Sequence, residues 1–155
     1  MDVYTASAGR IRILPYESRF RDDLIFMVLL SKDALGRVPR LNEDLLDIEA
    51  AYLDKGDMFW LALDENDRVV GSVGVSLIAG GPEAFLHRLY VKPGLKRQGL
   101  GSALLETAET WLRSRGVHTL RVHLGEPKEQ WAASYAFYPA RGFTLTAPTY
   151  MLKKL

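Results

Sequence analysis

Residues 91–101 read Val91-Lys92-Pro93-Gly94-Leu95-Lys96-Arg97-Gln98-Gly99-Leu100-Gly101, joining an apolar, strand-like run to an amphipathic, helix-like one. A strand that enters a helix through a glycine-rich basic turn leaves the first N–H groups of that helix without intrahelical acceptors. Those groups and the positive end of the helix dipole attract phosphate oxygens. Glycine at 99 and 101 keeps side chains off that backbone, and Lys96 and Arg97 add full charge beside it. The stretch points to a phosphate-bearing ligand.

Two common phosphate motifs can be tested against it. A P-loop requires Gly, four residues, Gly, then Lys and Ser or Thr. Gly94 and Gly99 have that spacing, but Leu100 and Gly101 stand where the Lys and the hydroxyl must be. A dinucleotide fingerprint needs a third glycine where Leu104 stands, and an acidic residue near position 121, which is Arg121. Neither motif fits.

Around this stretch the chain reads as an ordinary globular protein. Its 155 residues, 48% apolar and 25% charged, are enough for one domain with a sizeable core. A net charge of +1 gives no case for nucleic-acid binding. The absence of cysteine removes disulfides and thiolate catalysis and fits a reducing compartment. No apolar run has membrane-span length, and the N-terminus lacks a secretory layout, so the expectation is a cytoplasmic protein with no membrane partner.

Over 99–115, Leu100, Leu104, Leu105, Ala108, Trp111 and Leu112 recur at helical spacing, and Gly116 follows as a terminator. The pattern further predicts strands over 11–14, 58–63, 69–79, 83–91, 117–124, 143–145 and 149–152, with turns at 64–67 and 80–82. Helices are expected over 18–32, with Phe20, Leu24, Met27, Val28 and Leu30 inward, over 42–55 from an Asn42 N-cap, and over 130–138. Residues 1–8 read as a loose lead-in and 9–155 as one domain. The order implies an α/β architecture: a mixed sheet of about seven strands, with a parallel, right-handed crossover from the fourth to the fifth.

Lys96-Arg97-Gln98-Gly99-Leu100-Gly101 resembles the acyl-CoA pyrophosphate loop of the GNAT-type N-acetyltransferase superfamily, whose pattern is Gln/Arg-x-x-Gly-x-Gly/Ala. Leu89 to Pro93 is similar to the strand leading into that loop. Phe137-Tyr138-Pro139-Ala140-Arg141-Gly142-Phe143 is similar to the family's second signature, a Tyr ahead of a Gly-Phe, and Tyr150 to Leu155 to its closing strand. The resemblance spans Gly9 to the C-terminus. It implies the acyl-CoA N-acyltransferase fold, with helices on both faces and strands 4 and 5 splayed around the pantetheine arm. It also implies acetyl-CoA as co-substrate and no metal. Lys96, Arg97, Gln98, Gly99, Leu100, Gly101 and Ser102 would hold the diphosphate. The backbone of Leu89, Tyr90 and Val91 would pair with pantetheine, and an N–H there would hold the thioester oxygen.

Acetyl transfer to an amine poses two proton problems. Exposing the lone pair of an amine with pKa about 10.4 costs about 4.6 kcal/mol at pH 7, so a general base is needed. The leaving thiolate, with pKa near 8.5, needs a proton donor. By resemblance Tyr138 is the acid; the alternative is a core tyrosine with a satisfied hydroxyl. Pro139 predicts that the helix ends at Tyr138. The base is open: His87, near where several members place a glutamate, Glu83 or His123, with a structural His87 bonding across the sheet as the alternative. Lys96 departs from the family's Gln or Arg, and Trp131 from an asparagine that touches the cofactor. The expected activity is transfer from acetyl-CoA to a primary amine, small-molecule or peptide. A non-catalytic acyl-CoA-binding or sensing module is the alternative. The charges around the acceptor side are mixed and name no acceptor, and a homodimer stays open.

Overall fold

In a computed structural model, which describes residues 2–6, 9–78 and 81–155, eight strands form one sheet in the order β1-β2-β3-β4-β5-β6-β8-β7. They are β1 (Asp2–Ala6), β2 (Gly9–Pro15), β3 (Met58–Leu63), β4 (Val69–Leu77), β5 (Glu83–Val91), β6 (Thr119–His123), β7 (Thr144–Ala147) and β8 (Tyr150–Lys154). The helices are α1 (Arg21–Ala34), α2 (Ile48–Ala51), α3 (Leu100–Ser114) and α4 (Ala132–Phe137). Among the described residues only β5 and β6 pair in parallel, across the α3 crossover; the other neighbours are antiparallel.

Strand β3 is apolar throughout because both its faces are covered. On β3, Phe59, Leu61 and Leu63 face α1 and the segment after it, whereas Trp60 and Ala62 face α3. Leu24, Met27 and Val28 of α1 close the first core; Leu100, Leu104, Leu105, Ala108 and Leu112 of α3 close the second. This is the expected mixed α/β sheet with helices on both faces.

Four expectations need correction. Within residues 1–8, Asp2–Ala6 is a strand in register with β2 (Asp2 opposite Ile13), while Met1, Ser7 and Ala8 lie outside the described residues. This strand raises the count to eight, so the splay falls between β5 and β6. The helix expected over 42–55 is three short turns: 3-10 over Glu43–Leu46, α2, and 3-10 over Leu53–Lys55. Asn42 does not cap it, because its Oδ1 accepts from the buried Lys32 ammonium at 2.6 Å; Asp47 caps instead, accepting from the Ala50 N–H at 3.0 Å. On α1, Leu30 lies outward beside Phe26, and the inward places at the helix end go to Ser31 and Lys32. Finally, the strand expected over 69–79 ends at Leu77; Ala79, and Gly80 of the following turn, lie outside the described residues.

Candidate active site

β5 pairs with β6 only over Glu83–Phe85, so the edge of β5 that faces β6 has no strand partner from Leu86 to Val91. That opening is the expected splay. On its other edge β5 is bulged against β4: Ser72 opposes Tyr90 and Gly74 opposes His87, leaving Arg88 and Leu89 together opposite Val73. The bulge shifts the alternation of side chains, so Leu86 and Leu89 both reach the α3 core and Tyr90 the α1 core.

Arg88 holds this bulge at φ 53°, a left-handed conformation that costs a non-glycine residue about 1–2 kcal/mol. Three bonds secure it. Ser72 Oγ donates to the Arg88 carbonyl at 2.7 Å, and the Arg88 guanidinium donates twice to the Asp44 carboxylate, both at 3.0 Å. Asp44 also accepts from the Tyr52 hydroxyl at 2.6 Å. Burial alone would raise the Asp44 carboxyl, but the Arg88 and Tyr52 bonds outweigh it and hold its pKa below the usual range. Neither Arg88 nor Asp44 was singled out from sequence as a site residue. No local pattern marks a bulge whose support lies 44 residues away.

Beyond Val91, residues 92–99 form the basic turn. Gly99 sits at φ 84° as the residue before α3, a conformation open to glycine. The first in-helix bond runs from Ala103 N–H to the Gly99 carbonyl at 3.0 Å, leaving the N–H groups of Leu100, Gly101 and Ser102 without in-helix acceptors. Gly101 is needed for close packing: a Cβ there would lie 3.0 Å from the Phe137 ring. Arg97 stands at φ 63° and is exposed, and Gln98 turns back to donate to the Gly94 carbonyl at 3.3 Å. Arg141 joins this end from the distant Gly-Phe segment. Its Nε donates to Ser102 Oγ at 2.7 Å, with the guanidinium 3.8 Å above the Phe137 ring. The signal in the sequence for Arg141 is that it follows Tyr138 by one helical turn.

A cavity of about 490 Å3 lies here, lined by Lys96, Arg97, Gly99, Gly101, Ser102 and Arg141 among others, and it continues past Leu89 and Val91 to Tyr138. A second, of about 150 Å3, lies on the other side of the splay and takes in His87, Arg88, Tyr90, Arg37 and Trp131. Leu89, Val91, Lys96, Ala133, Ser134 and Tyr138 line both, so the two adjoin along a wall that includes Tyr138.

Tyr138 is only 6% exposed, its ring packed edge-on against Phe137 and Phe143 at 5.1 Å each. Its hydroxyl has no protein hydrogen-bond partner among the described residues, and no fully enclosed side-chain polar atom there lacks one, so the hydroxyl opens on the cavity. Burial raises its pKa well above that of an ordinary phenol; the nearby Tyr90 adds to the rise, and the Arg37 charge opposes it. The expectation that Pro139 ends the helix holds for α4, which closes at Phe137, but Tyr138 keeps helical geometry (φ −66°, ψ −46°). Pro139 opens a 3-10 turn, a place where its missing N–H leaves no bond unmade.

Of the three candidate bases, His87 lines the second cavity and bonds across the sheet, its Nε2 lying 2.7 Å from Ser76 Oγ. Burial and the Arg88 charge lower its pKa, so the ring is neutral at pH 7. His123 also lines the cavity, stacked on Tyr150 at 4.4 Å. Glu83 lines neither cavity and is bonded to Arg121 at 2.5 Å. Trp131 packs on the Gly125 backbone, and Arg37 lies 3.5 Å over its ring, bridging the splay. Among the described residues no His/Cys/Asp/Glu cluster could hold a metal ion, and no helix is long and apolar enough to cross a membrane.

The fold has known counterparts. A crystal structure of a GNAT-family acetyltransferase from Staphylococcus aureus superposes with a TM-score of 0.80 at 22% identity, covering 94% of this chain and 99% of that one. The PaiA N-acetyltransferase of Thermoplasma acidophilum, solved in complex with coenzyme A, superposes at 0.74 with 21% identity, covering 94% and 99%. In sequence, N-acetyltransferase 8 of Homo sapiens is 30% identical over 116 residues, which are 71% of this chain and 49% of that protein. The chain spans about half the length of the curated relatives it matches. The profile of the acetyltransferase (GNAT) family matches residues 25–143, and the chain belongs to that family.

Proposed function

We propose that this protein is an acetyl-CoA-dependent N-acetyltransferase whose acceptor is a primary amine. One observation carries the reading: the unpartnered Tyr138 hydroxyl stands where the basic cavity beside α3 meets the cavity beside the β5 bulge. The donor set beside α3 fits a diphosphate: the N–H groups of Leu100, Gly101 and Ser102, the Ser102 hydroxyl, and the cations Lys96, Arg97 and Arg141. The partnerless edge of β5, through Leu89, Tyr90 and Val91, offers backbone groups to the amides of an extended arm. When bound, acetyl-CoA supplies a thioester-activated acetyl group and a thiolate leaving group.

The residues divide the remaining work. An N–H at the bulge, set by the strained Arg88, receives the developing charge on the carbonyl oxygen. Neutral His87 takes the proton of the incoming ammonium, directly or through water. Tyr138, kept protonated across the working pH range, donates to the departing sulfur. Thiol release from acetyl-CoA with a panel of primary amines tests this; no release with any of them would overturn it. The second reading, a non-catalytic acyl-CoA-binding module, is favoured by the Ser76 bond that engages His87 Nε2. It predicts stabilisation by acetyl-CoA without turnover.

A further inference from the structure

Resting on the proposed transfer, in which His87 takes the amine's proton and so makes its cavity the acceptor side, we infer that the acceptor amine carries a carboxylate close to its nitrogen, as an amino acid does, and that Arg37 receives it. Among the described residues no Asp or Glu lines that cavity, whereas Arg37, Arg88 and Lys96 all do. Two of these charges have other duties. Arg88 is answered by Asp44 through two 3.0 Å bonds, and Lys96 also lines the phosphate end. Arg37 has no carboxylate partner among the described residues. Its Nε donates to the Gln130 carbonyl at 3.3 Å, and its charged plane stacks 3.5 Å over Trp131.

These contacts fix the guanidinium without neutralising it. A positioned planar guanidinium is suited to a carboxylate, which it can bond through two N–H groups at once. Arg37 is half-buried, and partly desolvating a cation with no counter-charge carries a cost that an anionic ligand offsets. Burial indeed pushes the Arg37 pKa down. Arg37 and Tyr138 line the same cavity, so a carboxylate on Arg37 leaves the amine of a small molecule on the side of the proposed acid. A polyamine or an aminoglycoside would bring further positive charge to a wall with no acid to meet it.

The test uses matched pairs: free amino acids and their carboxamides, with thiol release from acetyl-CoA as readout. The free acids should exceed their amides in kcat/KM by about tenfold or more. Arg37→Gln should bring the ratio near one with acetyl-CoA affinity unchanged, and Arg37→Lys should keep part of the preference. Equal rates for acid and amide in the unaltered protein would overturn the inference. So would an Arg37→Gln protein that keeps the ratio, or one that loses acetyl-CoA affinity as Lys96→Ala does, which assigns the anion to the diphosphate. If no amine is turned over, the transferase reading fails, and calorimetry on the CoA-loaded protein decides the subsite separately. N-acetylated amino acids binding about tenfold tighter than their amides would support it; equal or absent binding would overturn it.

Discussion

The two ends of the cleft are assembled differently. At the phosphate end, all proposed contacts but Arg141 fall within residues 96–102, on one turn and the first residues of α3. At the proposed acceptor end, Arg37, Asp44, His87 with Arg88, and Trp131 come from four separate stretches, joined by the Asp44–Arg88 pair and the Arg37–Trp131 stack. A site made by the local path of the chain is written in neighbouring residues. One made by packing across a sheet is written in none of them singly.

That contrast can be broken experimentally. Tyr138→Phe, which removes the group at the junction, should lower kcat by about a hundredfold or more while acetyl-CoA affinity holds; stopped thiol release with unchanged calorimetry would show it. His87→Gln should cost about a hundredfold as well and change the pH profile. Because burial depresses the His87 pKa, the ring stays neutral above pH 6.5. The acid limb of kcat/KM should therefore lie below that value and vanish in the variant. An acid limb retained in His87→Gln would move the base elsewhere.

Asp44→Asn should test the long-range assembly through stability, costing about 2 kcal/mol by weakening two charge-assisted bonds and easing the hold on the Arg88 bulge. Denaturant midpoints measure the loss, and an unchanged midpoint would remove the pair from the fold's support. At the phosphate end the effects should be smaller and spread out. Lys96→Ala, Arg97→Ala and Arg141→Ala should each weaken CoA binding by about five- to tenfold, more at low salt than at high. The smallest change expected is Gly99→Ala, about 1 kcal/mol, since its φ of 84° strains any side chain.

Much of the layout was legible. The 58–63 and 83–91 strands match β3 and β5, and α3 falls within the span its apolar spacing predicts, because these segments are buried at regular intervals. The 42–55 segment was not, because Lys32 draws Asn42 away from capping and Leu45, Ile48 and Tyr52 bury beneath α1 without a continuous helix. Tyr138 could be placed from the Tyr ahead of Gly-Phe, but its helical geometry before Pro139 could not.

By itself the sequence determined the crossover, the glycine-rich turn with its cations, and the chemistry Tyr138 and His87 can offer, since these depend on residue type and near spacing. Tertiary structure alone decided the Arg88 bulge, its Asp44 anchor, the reach of Arg141 to Ser102, and the unneutralised Arg37 on Trp131. Each of those needs two distant segments brought within bonding distance, and the free energy that does so belongs to the packed sheet and helices as a whole.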